Sequence, residues 1–116
     1  MTFSPISGAE TTAIRPLALV WSKAARADLR RIYRHLLNES RSADVVDNFV
    51  TDLQTKMHAI AASGFMGAPR DYVANGLRAV PYRQRCFYFR IHAEELIVVR
   101  VLHGRQDLRP EQFKES

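Results

Sequence analysis

Cysteine occurs once in this chain of 116 residues, at Cys86, so an internal disulfide is excluded. No stretch approaches the ~18 uninterrupted apolar residues of a transmembrane helix. The longest apolar runs, Leu17 to Trp21 and Leu96 to Val99, have only strand length. From Met1 to Ile14 there is no basic residue and no run of ~7–15 apolar residues, the two marks of a secretory leader. Residues 1–15 are therefore expected to form a flexible tail, a misassigned start being the alternative, with one domain over residues 16–116. His35, His58, His92 and Cys86 have no metal-ligand spacing. Gly64, Gly67 and Gly76 are not followed by the Gly-Lys-Ser/Thr of a phosphate loop. Internal repeats and low-complexity blocks are missing as well. The expectation is a cytoplasmic protein with no cofactor, no metal and no membrane partner.

Lysine is scarce too. Only Lys23, Lys56 and Lys114 stand beside 14 arginines, and the formal net charge is +5. Arginine offers a planar fork of donors that matches phosphate and carboxylate. Between Arg78 and Arg109 seven arginines face only Glu94, Glu95 and Asp107, so much of the positive excess lies in the C-terminal third. A solvated surface accounts for such a composition, but its placement among β-branched and aromatic residues points to an anion or an acidic partner. Hydrophobic residues make up 47%, an ordinary globular value. A domain of this size buries roughly 65% of its unfolded surface.

Pro16 to Trp21 reads as a short strand. Ser22 is a helix N-cap candidate, since its hydroxyl can accept from first-turn amides. Ala25, Leu29, Ile32, Tyr33 and Leu36 follow at helical spacing, with arginines on the other faces. Asn38 to Arg41 break that helix, with Ser40 read as a turn residue. Ser42 caps a second helix, whose apolar stripe is Val46, Phe49, Val50, Leu53, Met57 and Ile60, and Ser63-Gly64 ends it. A connection this short predicts an antiparallel helical hairpin. Gly64 to Asn75 reads as a loop. Three strands then follow, from Gly76, Arg85 and Leu96, with turns at Pro81 to Gln84 and His92 to Glu95. The expected fold class is α+β, in the order β-α-α-β-β-β, with the hairpin packed on a mainly antiparallel sheet.

Alternation along the strands assigns Leu77, Ala79, Phe87, Phe89, Ile91, Ile97, Val99 and Val101 to the face that meets the hairpin. It assigns Arg78, Cys86, Tyr88, Arg90, Val98 and Arg100 to the opposite, open face. Cations from three strands would then converge there, although neighbouring like charges repel.

The element order, Pro69-Arg70 before Gly76-Leu77-Arg78, the strand Tyr88-Phe89-Arg90, and the closing Val99-Arg100-Val101-Leu102-His103-Gly104-Arg105-Gln106-Asp107 together resemble the RelE/ParE toxin superfamily. The resemblance covers about Leu17 to Asp107, and the closing stretch is similar to the ParE branch. It implies a bacterial toxin of a type II toxin–antitoxin pair, neutralised by direct binding of a cognate ParD-like antitoxin. The ParE branch implies inhibition of DNA gyrase by binding. The RelE branch implies ribosome-dependent cleavage of messenger RNA.

Cleavage through the 2′-hydroxyl needs an acid, a base and cations over the phosphate. The catalytic candidates for that alternative are Arg78, Arg90, Arg100 and His103, with Tyr82 and Tyr88 nearby. His103 alternates with Ile97, Val99 and Val101, so it is expected to cap the core edge. Phe113, near the C-terminus, has no hydroxyl to transfer a proton. No acid/base pair emerges, and a binding inhibitor is the favoured reading over an endoribonuclease. A third reading is an interaction module without toxicity. Tyr33, Leu37, Phe49 and Met57 are candidates for a hairpin groove that takes an antitoxin helix. Arg78, Arg90 and Arg100 would face its acidic residues.

Overall fold

A computed structural model describes residues 16–39, 42–64 and 66–113. The expected tail, Ser40 and Arg41 lie outside the described residues. The elements are β1 (Ala18–Trp21), α1 (Lys23–Asn38), α2 (Ala43–Ser63), β2 (Ala68–Pro69), β3 (Arg78–Tyr82), β4 (Arg85–His92), β5 (Glu95–His103) and a 3₁₀ turn (Pro110–Phe113). The fold is α+β, two helices on a five-stranded mixed sheet of order β1-β5-β4-β3-β2.

Both helices start where their caps predict. The Ser22 hydroxyl accepts from Ala25 N–H at 3.0 Å, and Ser42 accepts from Val45 N–H at 3.2 Å. Gly64 closes α2 at φ 72°, a left-handed conformation that costs glycine little. The β1 strand lies parallel to β5, and the other neighbours are antiparallel. The segment read as loop from Gly64 to Asn75 contains β2, a two-residue edge strand where Pro69 needs no ladder donor. Beside it Gly67 sits at φ 67°. A Cβ there would lie 2.8 Å from Phe89 Cζ and 2.9 Å from the Ala79 carbonyl.

The face assignments need correcting, and turn length is the first reason. The β3–β4 connection is a two-residue turn, Arg83-Gln84, with both residues at positive φ, as a type I′ hairpin requires. This pairs Val80 with Phe87 and Ala79 with Tyr88. Leu77 and Ala79 therefore lie on the face away from the hairpin. The second reason is a bulge: Tyr88 pairs with Arg100 but Phe89 pairs with Val98, leaving Val99 as the extra residue of β5. Leu96, Val98 and Val101 consequently face the helices, and Val99 and Leu102 face away.

Each face of the sheet has its own core. Ala25, Leu29, Leu53, Met57 and Ile60 from the helices meet Phe87, Phe89, Leu96, Val98 and Val101. On the other side Leu77, Ala79, Cys86, Tyr88, Val99 and Leu102 are covered by Val73 and Phe113. The expected open face is thus closed by the 66–75 segment and the C-terminal turn. No described helix is long and apolar enough to cross a membrane.

Candidate functional site

The three sheet arginines do not converge. Arg78 pairs with Phe89, a hairpin-side position, and its Nε donates to the Met66 carbonyl. Arg90 donates from Nε to the Asn75 carbonyl at 3.2 Å and from Nη1 to the Phe113 carbonyl at 3.4 Å. Arg100 turns over the sheet edge instead. Its Nε and Nη2 donate to Asp28 Oδ2 at 2.7 Å and Oδ1 at 2.8 Å, and Nη1 donates to the Gln112 carbonyl at 3.0 Å. Arg78 thus ties down the segment before β2, while Arg90 and Arg100 hold adjacent carbonyls of the C-terminal turn and reach Asn75 and Asp28 respectively. The register moves Arg78 to the hairpin side, while Arg90 and Arg100 stay on the face of Tyr88, which the C-terminal turn covers.

Asp28 is the residue that sequence reasoning missed. It is 1% exposed and is the only buried charged residue among those described. β1 ends at Trp21, which leaves the outer half of the β5 edge without a strand partner. Ser22 Oγ–H donates to the Val99 carbonyl at 2.9 Å, and Val101 N–H donates to Asp28 Oδ2 at 2.9 Å. Two side chains therefore continue the ladder where strand pairing stops. Arg31 Nη1 also donates to Asp28 Oδ1, at 2.7 Å. A signal was present in the sequence. Asp28 is the single acid of α1, three residues after Ala25 and four before Ile32, on the apolar stripe itself.

The remaining acid/base candidates are also engaged. Tyr88 is buried, and desolvation pushes its hydroxyl well above the ordinary tyrosine range. The Tyr82 hydroxyl donates to Asp52 Oδ2 at 2.8 Å. His103 is exposed at the end of β5 rather than capping the core, and its Nδ1 accepts from Arg105 N–H at 3.2 Å. The described residues contain no cluster able to hold a metal ion.

Asp52 sits on α2 facing the β3–β4 turn. Arg83 Nη1 lies 2.6 Å from Asp52 Oδ2 and, together with Tyr82, holds the carboxyl below the usual carboxylate range. A depressed folded pKa contributes stability above the unfolded value of about 3.9, lost as pH falls through the folded pKa. A carbon-detected NMR titration should place the Asp52 midpoint below that value, and Arg83→Ala should raise it. An unshifted midpoint in both proteins would refute the pairing.

The hairpin carries two separate concavities in place of one groove. Between the helices, Leu29, Tyr33 and Val50 line a groove of about 430 Å³ bordered by Arg26, Arg30 and Arg34. Asp47 of α2 hydrogen-bonds the Tyr33 side chain and raises its pKa. Phe49 belongs to a second hollow, with Leu36 and Val45, at the β3–β4 turn. The guanidinium groups of Arg83 and Arg85 lie 5.1 and 5.9 Å from the centre of its ring. Leu37 is half-buried. Met57 is fully buried in the main core and belongs to neither hollow, because its helical phase matches Leu53 and Ile60.

Comparison with known proteins adds to this geometry. Residues 19–108 match the family described as the ParE toxin of the type II toxin–antitoxin system parDE. The chain is 21% identical over 98 residues to toxin ParE3 of Caulobacter vibrioides, covering 84% of this chain and 97% of the relative. In fold it is similar to a chain of the solved chromosomal ParDE toxin–antitoxin system from P. aeruginosa. That likeness has a TM-score of 0.65 at 22% sequence identity, over 75% of this chain and 95% of the other.

Proposed function

The chain belongs to the ParE toxin family of type II toxin–antitoxin systems, and from that premise we propose that it inhibits DNA gyrase by binding and is silenced by a cognate ParD-like antitoxin in the cytoplasm. One observation carries the choice of binding over RNA cleavage: Arg78, Arg90 and Arg100 are spent on structural contacts, with backbone carbonyls and with Asp28. Tyr82 and Tyr88 are likewise held, by Asp52 and by burial. Among these described residues, neither tyrosine stands free as an acid or base over the three sheet arginines. General acid–base chemistry at a phosphate needs such a free group.

The hairpin groove around Tyr33 supports this reading as the surface that meets the antitoxin. Its apolar floor and three arginines at helical spacing suit an amphipathic helix with acidic flanks. Phe49, with Arg83 and Arg85, offers a second anchor of the same chemistry. Met57 is not part of this surface.

Purified toxin should block gyrase supercoiling or trap cleaved DNA, and should leave ribosome-bound messenger RNA intact. The reverse pattern would refute the gyrase reading. Tyr33→Glu should keep the fold and weaken antitoxin binding by about tenfold or more, the usual cost of removing a buried aromatic anchor. Unchanged affinity in a folded variant would remove the groove from the interface.

A further inference from the structure

A third concavity, of about 370 Å³, lies between the C-terminal half of α1 and the ends of β4 and β5. It belongs to neither hairpin hollow, although Arg85 borders both it and the Phe49 site. Arg85 and His103 are directly paired across β4 and β5, so their side chains leave the sheet on the same face, towards the helices. From α1, Arg31 and His35 line the opposite wall, and Ile32 and Val101 supply an apolar floor.

The charges in this cleft are unevenly answered. Asp28 is its only carboxylate. Both Asp28 oxygens are already occupied by Arg31, Arg100 and the Val101 amide. Arg100 is spent on the same carboxylate and on the Gln112 carbonyl. Arg31 uses one terminal nitrogen on Asp28 while its side chain stays 62% exposed, leaving its other donors available. Arg85 is half-buried and has no carboxylate partner among the described residues. Its one described contact is with the Phe49 ring. A partly desolvated guanidinium without a counter-charge favours an incoming anion. His103 adds a further donor: Nδ1 accepts from the Arg105 amide, which leaves Nε2 as the donating nitrogen.

We infer that this cleft is an oxyanion site for a phosphate monoester, with Arg85 as the principal cation and Arg31 and His103 as flanking donors. A forked guanidinium beside separate single donors suits a tetrahedral dianion. The volume exceeds that of phosphate alone and falls in the range of small-molecule sites, so the organic part of the ester rests on Ile32 and Val101. The phosphate belongs to a free nucleotide or to the phosphorylated end of a DNA strand, which share this chemistry. The inference rests on the cleft alone and is independent of the gyrase reading.

The test is titration of the full-length protein, followed by NMR and calorimetry. The probes are inorganic phosphate, adenosine monophosphate, and a short single-stranded oligonucleotide with and without a 5′-phosphate. The expected result is saturable binding of at least one phosphate monoester, with shifts at Arg85, Arg31 and His103. Arg85→Gln should weaken that binding by about tenfold or more, given the strength of charge-assisted hydrogen bonds. His103→Asn, at an exposed position, should weaken it severalfold and serves if the Arg85 variant is unstable. Arg109→Gln, outside the cleft, should bind as the unaltered protein does. Preference for the mononucleotide would assign the site to free nucleotides, and dependence on the 5′-phosphate would assign it to DNA ends. Absence of saturable binding, or equal affinity in folded Arg85→Gln and His103→Asn proteins, would overturn the inference.

Discussion

Asp28→Ala should destabilise the protein by about 3–5 kcal/mol, the cost of breaking a buried ion pair by removing one partner. The substitution strands the guanidinium of Arg100, whose side chain is 19% exposed, and leaves the Val101 amide without its acceptor. The β5 edge would then lack a partner at the point where β1 has ended. Urea denaturation read by circular dichroism measures the loss, and a change below ~1 kcal/mol would show that the pair adds little. A double variant, Asp28→Ala with Arg100→Met, should recover part of the loss, because the stranded charge is gone. Arg100→Ala alone should also destabilise. An endoribonuclease that used Arg100 on phosphate would instead lose activity with its stability little changed.

Phe113→Ala should cost about 3–5 kcal/mol, the range for emptying an aromatic site in a core. Phe113 is 1% exposed although it stands only three residues from the C-terminus. Its ring meets Tyr88 edge-on, with centroids 5.0 Å apart. The same turn supplies the Gln112 and Phe113 carbonyls to Arg100 and Arg90. Losing the ring should therefore release the 3₁₀ turn and expose the second core. Amide exchange should then quicken in β4 and β5 more than in α2, and a protein that keeps its urea midpoint would show the turn to be dispensable. Sequence reasoning treated Phe113 only as a side chain that cannot transfer a proton. Its structural role is the larger one.

The helices were legible because their signals are local. Ser22, Ser42 and Gly64 mark helix ends through bonds that span three or four residues. The apolar stripe of α2 needs only the helical period. The three long strands were legible for the same reason, and their order with the hairpin carried the family resemblance. Asp28 was less visible. One acid among five basic residues on α1 looks like charge balance until the free edge of β5 is placed beside it.

The sequence by itself determined the order of the two helices and the four longer strands, both helix caps, the α+β class and the kinship with ParE toxins. Alternation placed Phe87, Phe89, Ile91 and Val101 on the hairpin face, but tertiary structure alone decided that Leu77, Ala79 and Val99 turn away from it and that Arg78 and Val98 turn towards it. Side chains alternate with a period of two, so a one-residue change in register moves a strand's whole set to the other face. Here a two-residue turn and one bulged valine made that change, and neither can be read from apolar alternation within a single strand.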